Sequence, residues 1–162
     1  EIGKLDLQIQ LELADGEIPV NVDLVQIEQV LLNLVRNGLD ALEECPAGER
    51  NLTIATRIAD GCALVTVRDN GPGISSERML HLFDPFFTTK ETGMGMGLPI
   101  SQTILDNHGG KIWAASEPGE GTVFHVSLPV AAVANDAEAG SDVDADAGPG
   151  ADQNPPLAAG MR

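Results

Sequence analysis

The chain has 162 residues, an apolar fraction of 43% and a formal charge of −16. This length and apolar content fit one domain with some chain left over. A surface this acidic repels phosphate backbones and anionic lipid, which disfavours nucleic-acid binding and membrane docking. No apolar run reaches the roughly 18–20 residues of a membrane span. Residues 1–13 alternate polar and apolar side chains, unlike a signal peptide.

The first residue is Glu1 instead of Met, so we expect a piece of a longer, cytoplasmic protein. That parent protein is either soluble or membrane-anchored. Cys45 and Cys62 lack the spacing of a metal site and are predicted to be reduced thiols.

Residues 130–162 differ in composition from the rest of the chain. They are rich in Ala, Gly and Pro and carry six acids, one base and no aromatic residue. Such a segment cannot bury enough apolar area to offset its ordering entropy. We therefore predict a folded domain over 1–129 and a disordered acidic tail over 130–162.

The folded part alternates between strand and helix patterns. Asp15-Gly16, Asp60-Gly61 and Pro118-Gly119 are predicted turns between them. Taken in order, the patterns predict a half-buried strand over 5–13, an extended piece over 18–22, a helix over 23–44, strands over 52–58 and 62–68, a short helix over 75–82, a loop over 84–97, a helix over 98–107, and strands over 111–115 and 121–128. Long sheet pairings with three helices predict an α/β fold, a two-layer sandwich.

The long helix carries the first candidate site. At about 100° per residue, Asn33, Asn37 and Asp40 share a wedge of roughly 60°. This wedge is predicted to lie opposite an apolar stripe that packs on the sheet, formed by Leu24, Ile27, Leu31, Val35, Gly38 and Leu42. The wedge is either a solvated face or an oxygen-rich wall for a hard cation such as Mg²⁺.

Two glycine segments carry further signals. Asp69 ends a strand and opens Asp-Asn-Gly-Pro-Gly-Ile over 69–74, and Gly-Met-Gly-Met-Gly-Leu over 93–98 opens a helix. Taken alone, the first is a tight turn or the wall of a pocket for a flat ligand. The second is a flexible loop or a phosphate site at a helix start. Its spacing matches neither a dinucleotide fingerprint nor a Walker motif.

Five such segments follow one another in a fixed order. They are an Asn-containing helix over 29–41, the Asp-x-Gly-x-Gly turn over 69–74, an aromatic segment over 82–90, the glycine segment over 93–98, and Gly-Glu-Gly-Thr-Val-Phe over 119–124. Over roughly 5–129 the chain resembles the ATP-binding domain of sensor histidine kinases, within the superfamily of gyrase, MutL and the heat-shock chaperone ATPases. The sequences of its motifs look most like those of the nitrogen-fixation oxygen-sensor type of kinase. The resemblance implies a Bergerat-type fold, with a mixed, mostly antiparallel sheet and about three helices.

The resemblance also implies roles for individual residues. Asn37 would hold Mg²⁺ with help from Asn33, and Asp69 would accept a hydrogen bond from the exocyclic amine of adenine. Asn33, Asn37 and Lys90 form the catalytic set, although Lys90 can also be read as an ordinary exposed lysine. A mobile lid over 84–96 is expected to close on the nucleotide. The implied ATP contacts are Asn37, Asp40, Asp69, Gly71, Gly73, Ile74, Thr89, Lys90, Gly93, Gly95, Met96, Gly97, Leu98 and Thr122.

The implied function is the transfer of the γ-phosphate of Mg-ATP to a histidine. In this family the acceptor lies on a separate hairpin, typically followed by an acid, and His81, His108 and His125 all lack that acid. We therefore expect no self-phosphorylation by this chain alone, with the missing hairpin and a response regulator as partners. No contact with nucleic acid or membrane is expected.

The alternatives are an ATPase of the same superfamily and a nucleotide-binding module without activity. Asn33 stands where hydrolytic relatives carry a Glu that activates water, which favours the kinase. Gly38 replaces the family's usual Ala, at a modest expected cost in stability. Trp113 is predicted to be in the core. Three aromatic residues are predicted to pin the base of the lid to the body, Phe83, Phe86 and Phe87.

Overall fold

The computed structural model describes residues 6–88 and 94–131. Five strands form one sheet in the order β1-β2-β3-β5-β4. β1 runs parallel to β2, and every other neighbouring pair is antiparallel. The strands are β1 (Leu7–Glu12), β2 (Arg50–Ala59), β3 (Cys62–Asp69), β4 (Lys111–Glu117) and β5 (Gly121–Pro129), and the helices are α1 (Leu24–Leu42), α2 (Ser76–Met79) and α3 (Gly97–Asn107). The predicted α/β sandwich with a mixed, mostly antiparallel sheet is confirmed.

The core lies between one face of the sheet and the two long helices, α1 and α3. Val67 of β3 and Phe124 and Val126 of β5 are buried there. From α1 the buried residues are Ile27, Val30, Leu34, Gly38 and Leu42. The predicted stripe was therefore rotated: Leu24 is exposed, whereas Val30 and Leu34 are fully buried. Pattern alone could not fix the rotation, because apolar residues surround most of this helix.

β1 is exposed along nearly its whole length, although its alternation predicted a half-buried strand. Ile9 and Leu11 pair with Leu52 and Ile54 of β2, yet they remain 56% and 63% exposed. β1 is an edge strand, and among the described helices α1 packs on β2 and β3. An edge strand outside the reach of the helix layer keeps its apolar face open.

Hydrogen bonds at the helix ends hold α1 and α3 together. The side chain of Asp23 caps α1 by accepting from the N–H of Gln26 at 3.0 Å. The backbone N–H of Asp23 donates to Nε2 of His108, while Nδ1 of His108 donates to the carbonyl of Ile104. The ring therefore bridges the end of α3 and the start of α1 with both nitrogens occupied.

The predicted Asp60-Gly61 turn joins β2 and β3, with positive φ at both residues, as a tight hairpin turn requires. At the other end of the chain, Val130 bridges to Val20 and the N–H of Ala131 donates to the carbonyl of Pro19. The rest of the predicted tail, from 132 onward, lies outside the described residues. Cys45 and Cys62 are free thiols. None of the helices in the described ranges has the length and apolar character needed to cross a bilayer.

Candidate functional site

Four segments meet beside the C-terminal half of α1. They are the turn after β3, the turn between β4 and β5, the start of α3, and α1 itself. A Cβ on Gly71 would lie 3.1 Å from the Cβ of Ala41, so the turn after β3 packs directly on α1. Gly97 packs so closely on Asn33 that a Cβ added to it would collide with the Asn33 side chain. The start of α3 therefore lies directly on α1. The predicted glycine segments and the predicted Asn helix are thus brought together.

Asp69 lies at the bottom of this site with only 2% of its surface exposed. Its Oδ1 accepts from the N–H groups of Gly71 at 2.9 Å and Thr122 at 3.3 Å. Burial raises the pKa of Asp69, and these backbone hydrogen bonds oppose the shift. The bonds fix the carboxylate and leave Oδ2 as an acceptor without a hydrogen-bond partner among the described residues. Such an atom can recognise a donor such as an exocyclic amine.

Ser116 connects the two turns beside Asp69, and sequence reasoning missed it. Its Oγ accepts from the N–H of Ile74 at 2.8 Å and donates to the carbonyl of Gly121 at 2.7 Å. It also lies 3.0 Å from Oγ1 of Thr122. One hydroxyl therefore links the strand that carries Thr122 to the turn that follows Asp69. A serine in an alternating strand gives no signal for such a role.

The same two turns approach so closely that side chains would collide. A Cβ on Gly73, where φ is +72°, would meet the carbonyl oxygen of Glu117. A Cβ on Gly121, where φ is +85°, would meet the carbonyl oxygen of Asp69. The N–H of Gly119 donates to the carbonyl of Pro72 at 2.7 Å. Glycine is required here both for its backbone conformation and for the absence of a side chain.

The start of α3 rests against Asn33. Nδ2 of Asn33 donates to Oγ of Ser101 at 3.1 Å, and Ser101 is buried. Met96 is the N-cap residue, and its side chain makes no capping hydrogen bond. The first N–H groups of a helix lack intrahelical partners, so those of Gly97 and Leu98 can bind an anion. α3 begins one residue earlier than predicted, at Gly97.

The two ends of the predicted lid meet at its base. The N–H of Phe86 donates to the carbonyl of Gly95 at 3.0 Å. Phe83 packs against the core and the Phe87 ring lies 5.9 Å from His81, in line with the predicted anchoring. The prediction was wrong for the Phe86 side chain, which is 75% exposed. Its φ of +66° turns the ring outward while its backbone closes the loop. Thr89, Lys90 and Gly93 lie outside the described residues.

The polar wedge of α1 lies on the flank of the helix, not opposite its buried face as predicted. Asn33, Asn37 and Asp40 are all half-buried. Within 6–88 and 94–131, no group of three His, Cys, Asp or Glu side chains could hold a metal ion. Mg²⁺ commonly takes only one or two protein oxygens and completes its shell with phosphate and water. The amide oxygens on this flank fit that kind of site.

Comparison with known families matches residues 22–132 to a model described as histidine kinase-, DNA gyrase B-, and HSP90-like ATPase. The C4-dicarboxylate transport sensor protein DctS of Rhodobacter capsulatus is 46% identical over 119 residues, which are 73% of this chain. The sensor protein FixL of Bradyrhizobium diazoefficiens is 43% identical over 126 residues, or 78% of this chain. The matched regions span 18% and 25% of those two proteins.

Solved structures agree with the sequence relatives. The catalytic domain of the histidine kinase ThkA, in a nucleotide-free form, superposes with a TM-score of 0.67 at 35% identity, covering 80% of this chain and 82% of that one. ThkA in complex with the response regulator protein TrrA matches with a TM-score of 0.65 at 33% identity, covering 80% of this chain and 36% of that one. The predicted resemblance to histidine kinases is confirmed by these matches.

Proposed function

This chain belongs to the family of histidine kinase-, DNA gyrase B- and HSP90-like ATPases, as the ATP-binding catalytic domain of a sensor histidine kinase, and from this premise we propose that it transfers the γ-phosphate of Mg-ATP to a histidine on a separate helical hairpin. The acceptor is placed elsewhere because His81, His108 and His125 are all followed by a residue other than an acid. His108 is also occupied at both ring nitrogens. The chain spans only a fraction of its relatives, so the hairpin is a separate partner in this proposal.

The observation that carries the proposal is the geometry of Asp69. Its Oδ1 is held by two backbone N–H groups, and its Oδ2 has no hydrogen-bond partner among the described residues. An adenine amine can donate to Oδ2, whereas the carbonyl at the matching position of guanine would face it as a second acceptor. This arrangement therefore favours ATP over GTP.

The remaining residues position the triphosphate. Asn37 would hold Mg²⁺ through its amide oxygen with help from Asn33, and the bound ion would neutralise phosphate charge. N–H groups of Gly97 and Leu98 at the start of α3 bind phosphate oxygens. The hairpin histidine attacks the γ-phosphorus in line, its new N–P bond forms, and the bond to the bridging β–γ oxygen breaks to release ADP. Alignment and charge neutralisation are the main requirements of this reaction.

Hydrolysis of ATP is disfavoured by the residue one turn before Asn37. Asn33 occupies that position, and its amide nitrogen donates to Ser101. An amide cannot accept a proton from water as a carboxylate can. Glu28 is exposed and lies nine residues before Asn37, on another side of the helix at about 100° per residue. Neither Asn33 nor Glu28 can therefore serve as a general base beside Asn37.

A response regulator is the proposed downstream partner, because ThkA, a relative in fold and sequence, is known in complex with one. The phosphoryl group on the hairpin histidine would pass to that protein. The catalytic domain would then act only in the first of two transfers.

ATP titration by calorimetry with and without Mg²⁺ tests the nucleotide site. We expect wild-type binding, and in Asn37→Ala a loss of the Mg²⁺-dependent part of the affinity by about 10-fold, the equivalent of one charge-assisted contact. Gln29→Ala is the matched control, because Gln29 is exposed on the same helix. Equal Mg²⁺ dependence in Asn37→Ala would contradict the assignment of Asn37.

Transfer is tested separately, by adding a histidine-containing hairpin from one of the matched sensor kinases. We expect phosphohistidine on the hairpin, none on the chain alone, and negligible ATP hydrolysis without hairpin. Nucleotide binding without transfer to any supplied hairpin would favour a binding module. Steady hydrolysis in the chain alone would favour an ATPase.

A further inference from the structure

One face of the sheet is turned away from the core. Along β3 and β5 the residues Val67, Phe124 and Val126 point into the core with α1 and α3. Because side chains alternate along a strand, Arg68 and His125 point to the opposite side. We call this side the outer face. Its residues on β2 to β5 include Ala55, Arg57, Leu64, Thr66, Arg68, Lys111, Trp113, Val123, His125 and Ser127.

The outer face is cationic on an acidic protein. Arg57, Arg68 and Lys111 are exposed there, half of the six Lys and Arg residues in the described ranges. None of the three belongs to an ion pair, because the one ion pair within 6–88 and 94–131 joins His81 to Asp84. Glu117 lies at the far end of β4. β1 adds one acid to this face, Glu12, which pairs with Ala55. Arg57 and Lys111 at the opposite end of the face from Glu117 therefore carry positive charge without an ion pair among the described residues, while the whole chain carries −16.

An aromatic pair lies among these cations. Trp113 stacks on His125 with ring centroids 5.0 Å apart and planes inclined by 8°. Trp113 is 41% exposed, so its prediction as a core residue was wrong, because β4 turns it to the outer face. Burial lowers the pKa of His125 and the nearby charge of Arg57 lowers it further. In the sheet register, Arg57 lies on the same face, two strands from His125 and in the row of Leu64 and Ser127.

We propose that the acidic segment 136–146 of this chain docks on the outer face, against Arg57 and Lys111 beside Trp113. The segment carries five acids in eleven residues, Asp136, Glu138, Asp142, Asp144 and Asp146. It is the densest run of acid in the chain and contains no base. Opposite charge in the same molecule, at high effective concentration, favours this occupant over a separate acidic protein.

The chain leaves the sheet at the end where both cations lie. β5 ends at Pro129, paired with Cys62, and Lys111 pairs with Ser127 of the same strand end. Arg57 pairs with Leu64, which pairs in turn with Ser127. Both cations therefore lie at the end of the sheet where the chain leaves it. The five residues from Ala131 to Asp136 can span at most roughly 17 Å. The three strand spacings that separate β2 from β4 add up to about 14 Å. The reach of the chain is therefore comparable to the width of the sheet between Arg57 and Lys111.

The contact consists of exposed ion pairs, which are individually weak and screened by salt. Docking is therefore expected to be reversible and to weaken at high ionic strength. Trp113 reports on it directly, since it is the chain's single tryptophan. A docked segment shields its indole from a neutral quencher such as acrylamide.

The test measures acrylamide quenching of Trp113 fluorescence in the full chain at about 20 mM and at about 500 mM NaCl. Between these two concentrations the screening of exposed charges increases strongly. We expect the quenching constant to rise about two-fold with salt. The variant Asp142→Asn/Asp144→Asn/Asp146→Asn should show the higher constant already at low salt. The control variant Glu28→Gln/Glu43→Gln/Glu44→Gln removes three exposed acids from the helix side and should behave as wild type. Salt-independent quenching, or equal behaviour of the two triple variants, would overturn the proposal.

Carbodiimide coupling identifies what touches Lys111. We expect an amide between Lys111 and an acid of 136–146 at low salt, and its loss at high salt. Mixing isotopically light and heavy chains separates the possible sources. Links within one chain support the proposal. Links only between light and heavy chains would assign the face to a second copy, and links to no tail acid would also reject the proposal.

Discussion

The two ends of the candidate site are built in different ways. The Asp69 end consists of Asp69, Gly71–Ile74, Ser116 and Thr122, and its parts are joined by buried or half-buried hydrogen bonds. The α3 end consists of Asn33, Gly95–Leu98 and Ser101, where the side chain of Asn33 on α1 donates to Ser101 on α3. The Asp69 end is held in place by the pairing of the strands that carry its residues. The α3 end is held in place by the packing of α3 on α1.

This difference indicates a division of labour. A recognition end gains from being rigid before ligand arrives, because little ordering is then lost on binding. An anion site made of helix N–H groups works through backbone dipoles and needs few side chains. Changes at the Asp69 end should therefore affect every adenine compound. Changes at the α3 end should affect only compounds that carry phosphates.

The largest expected effect is that of Gly73→Ala. The added methyl would collide with the Glu117 carbonyl at a residue whose φ is +72°. We expect unfolding to become easier by about 2–4 kcal/mol, measured by urea denaturation, because strain and collision add. Gly61→Ala is the control, with nearly the same φ of +73° and open space around it. Similar losses in both variants would show that backbone strain alone matters.

Asp69→Asn should separate recognition from stability. The amide nitrogen of Asn would face the adenine amine donor to donor, so affinity for adenosine and ATP should each fall about 10- to 100-fold. Stability at neutral pH should be unchanged or higher, because a buried charge is removed. Calorimetry and urea denaturation of the same samples test both. Equal affinity for adenosine would remove Asp69 from the recognition of the base.

The pH dependence of stability and ATP affinity in wild type and Asp69→Asn sharpens this test. Burial raises the pKa of Asp69 above 3.8, so the folded state binds this proton more tightly than the unfolded state. Ionisation of Asp69 therefore lowers stability as the pH rises from 3.8 through the raised pKa. Relative to wild type, Asp69→Asn should gain stability over that window. Wild-type ATP affinity should fall as the pH drops through the same window, because the acceptor becomes protonated.

Gly97→Ala addresses the α3 end. A methyl there would collide with Oδ1 of Asn33 and displace its bond to Ser101. We expect ATP affinity to fall about 10-fold, one lost charge-assisted contact, with adenosine affinity unchanged. Parallel calorimetric titrations of the two ligands decide the matter. Equal losses for both would mean that the two ends are not independent.

The smallest expected effect is that of Gly38→Ala. Helix propensity favours Ala by about 1 kcal/mol, but the added Cβ would lie 2.7 Å from Cδ1 of the fully buried Leu52. Overpacking costs about 1–3 kcal/mol, so the net change should be a slight destabilisation. This contact reverses the expectation from the sequence that Gly38 is less stable here than Ala. Leu52→Val shortens the obstructing side chain. Combined with Gly38→Ala it should be less destabilising than the two single changes added together, as measured by urea denaturation.

Much of the fold could be predicted from local pattern. Alternation and turn residues located β2, β3, β4 and β5, since a hairpin such as Asp60-Gly61 joins strands that are adjacent in the chain. The order of the five motifs identified the family before any contact was known. These features are local because turn chemistry and backbone approach require particular residue types at particular spacings.

The candidate site was predicted only in outline. The glycines and Asp69 were recognisable because few residue types tolerate their backbone and burial. Ser116 was missed, since its role depends on which strand lies beside the turn after Asp69. The ligand-binding and catalytic roles assigned to all the candidate residues remain predictions, from Asp69 and Asn37 to Thr89, Lys90 and Gly93 outside the described residues.

The sequence by itself determined most of the secondary structure, the family, and the glycines and Asp69 of the site. Only the tertiary structure decided which side of α1 is buried, that β1 stays open, and that Trp113 faces outward. Leu24, Ile9 and Trp113 are apolar in the sequence, but their burial depends on whether another layer covers them. Coverage is a property of how the helices pack on the sheet, and no local pattern encodes it.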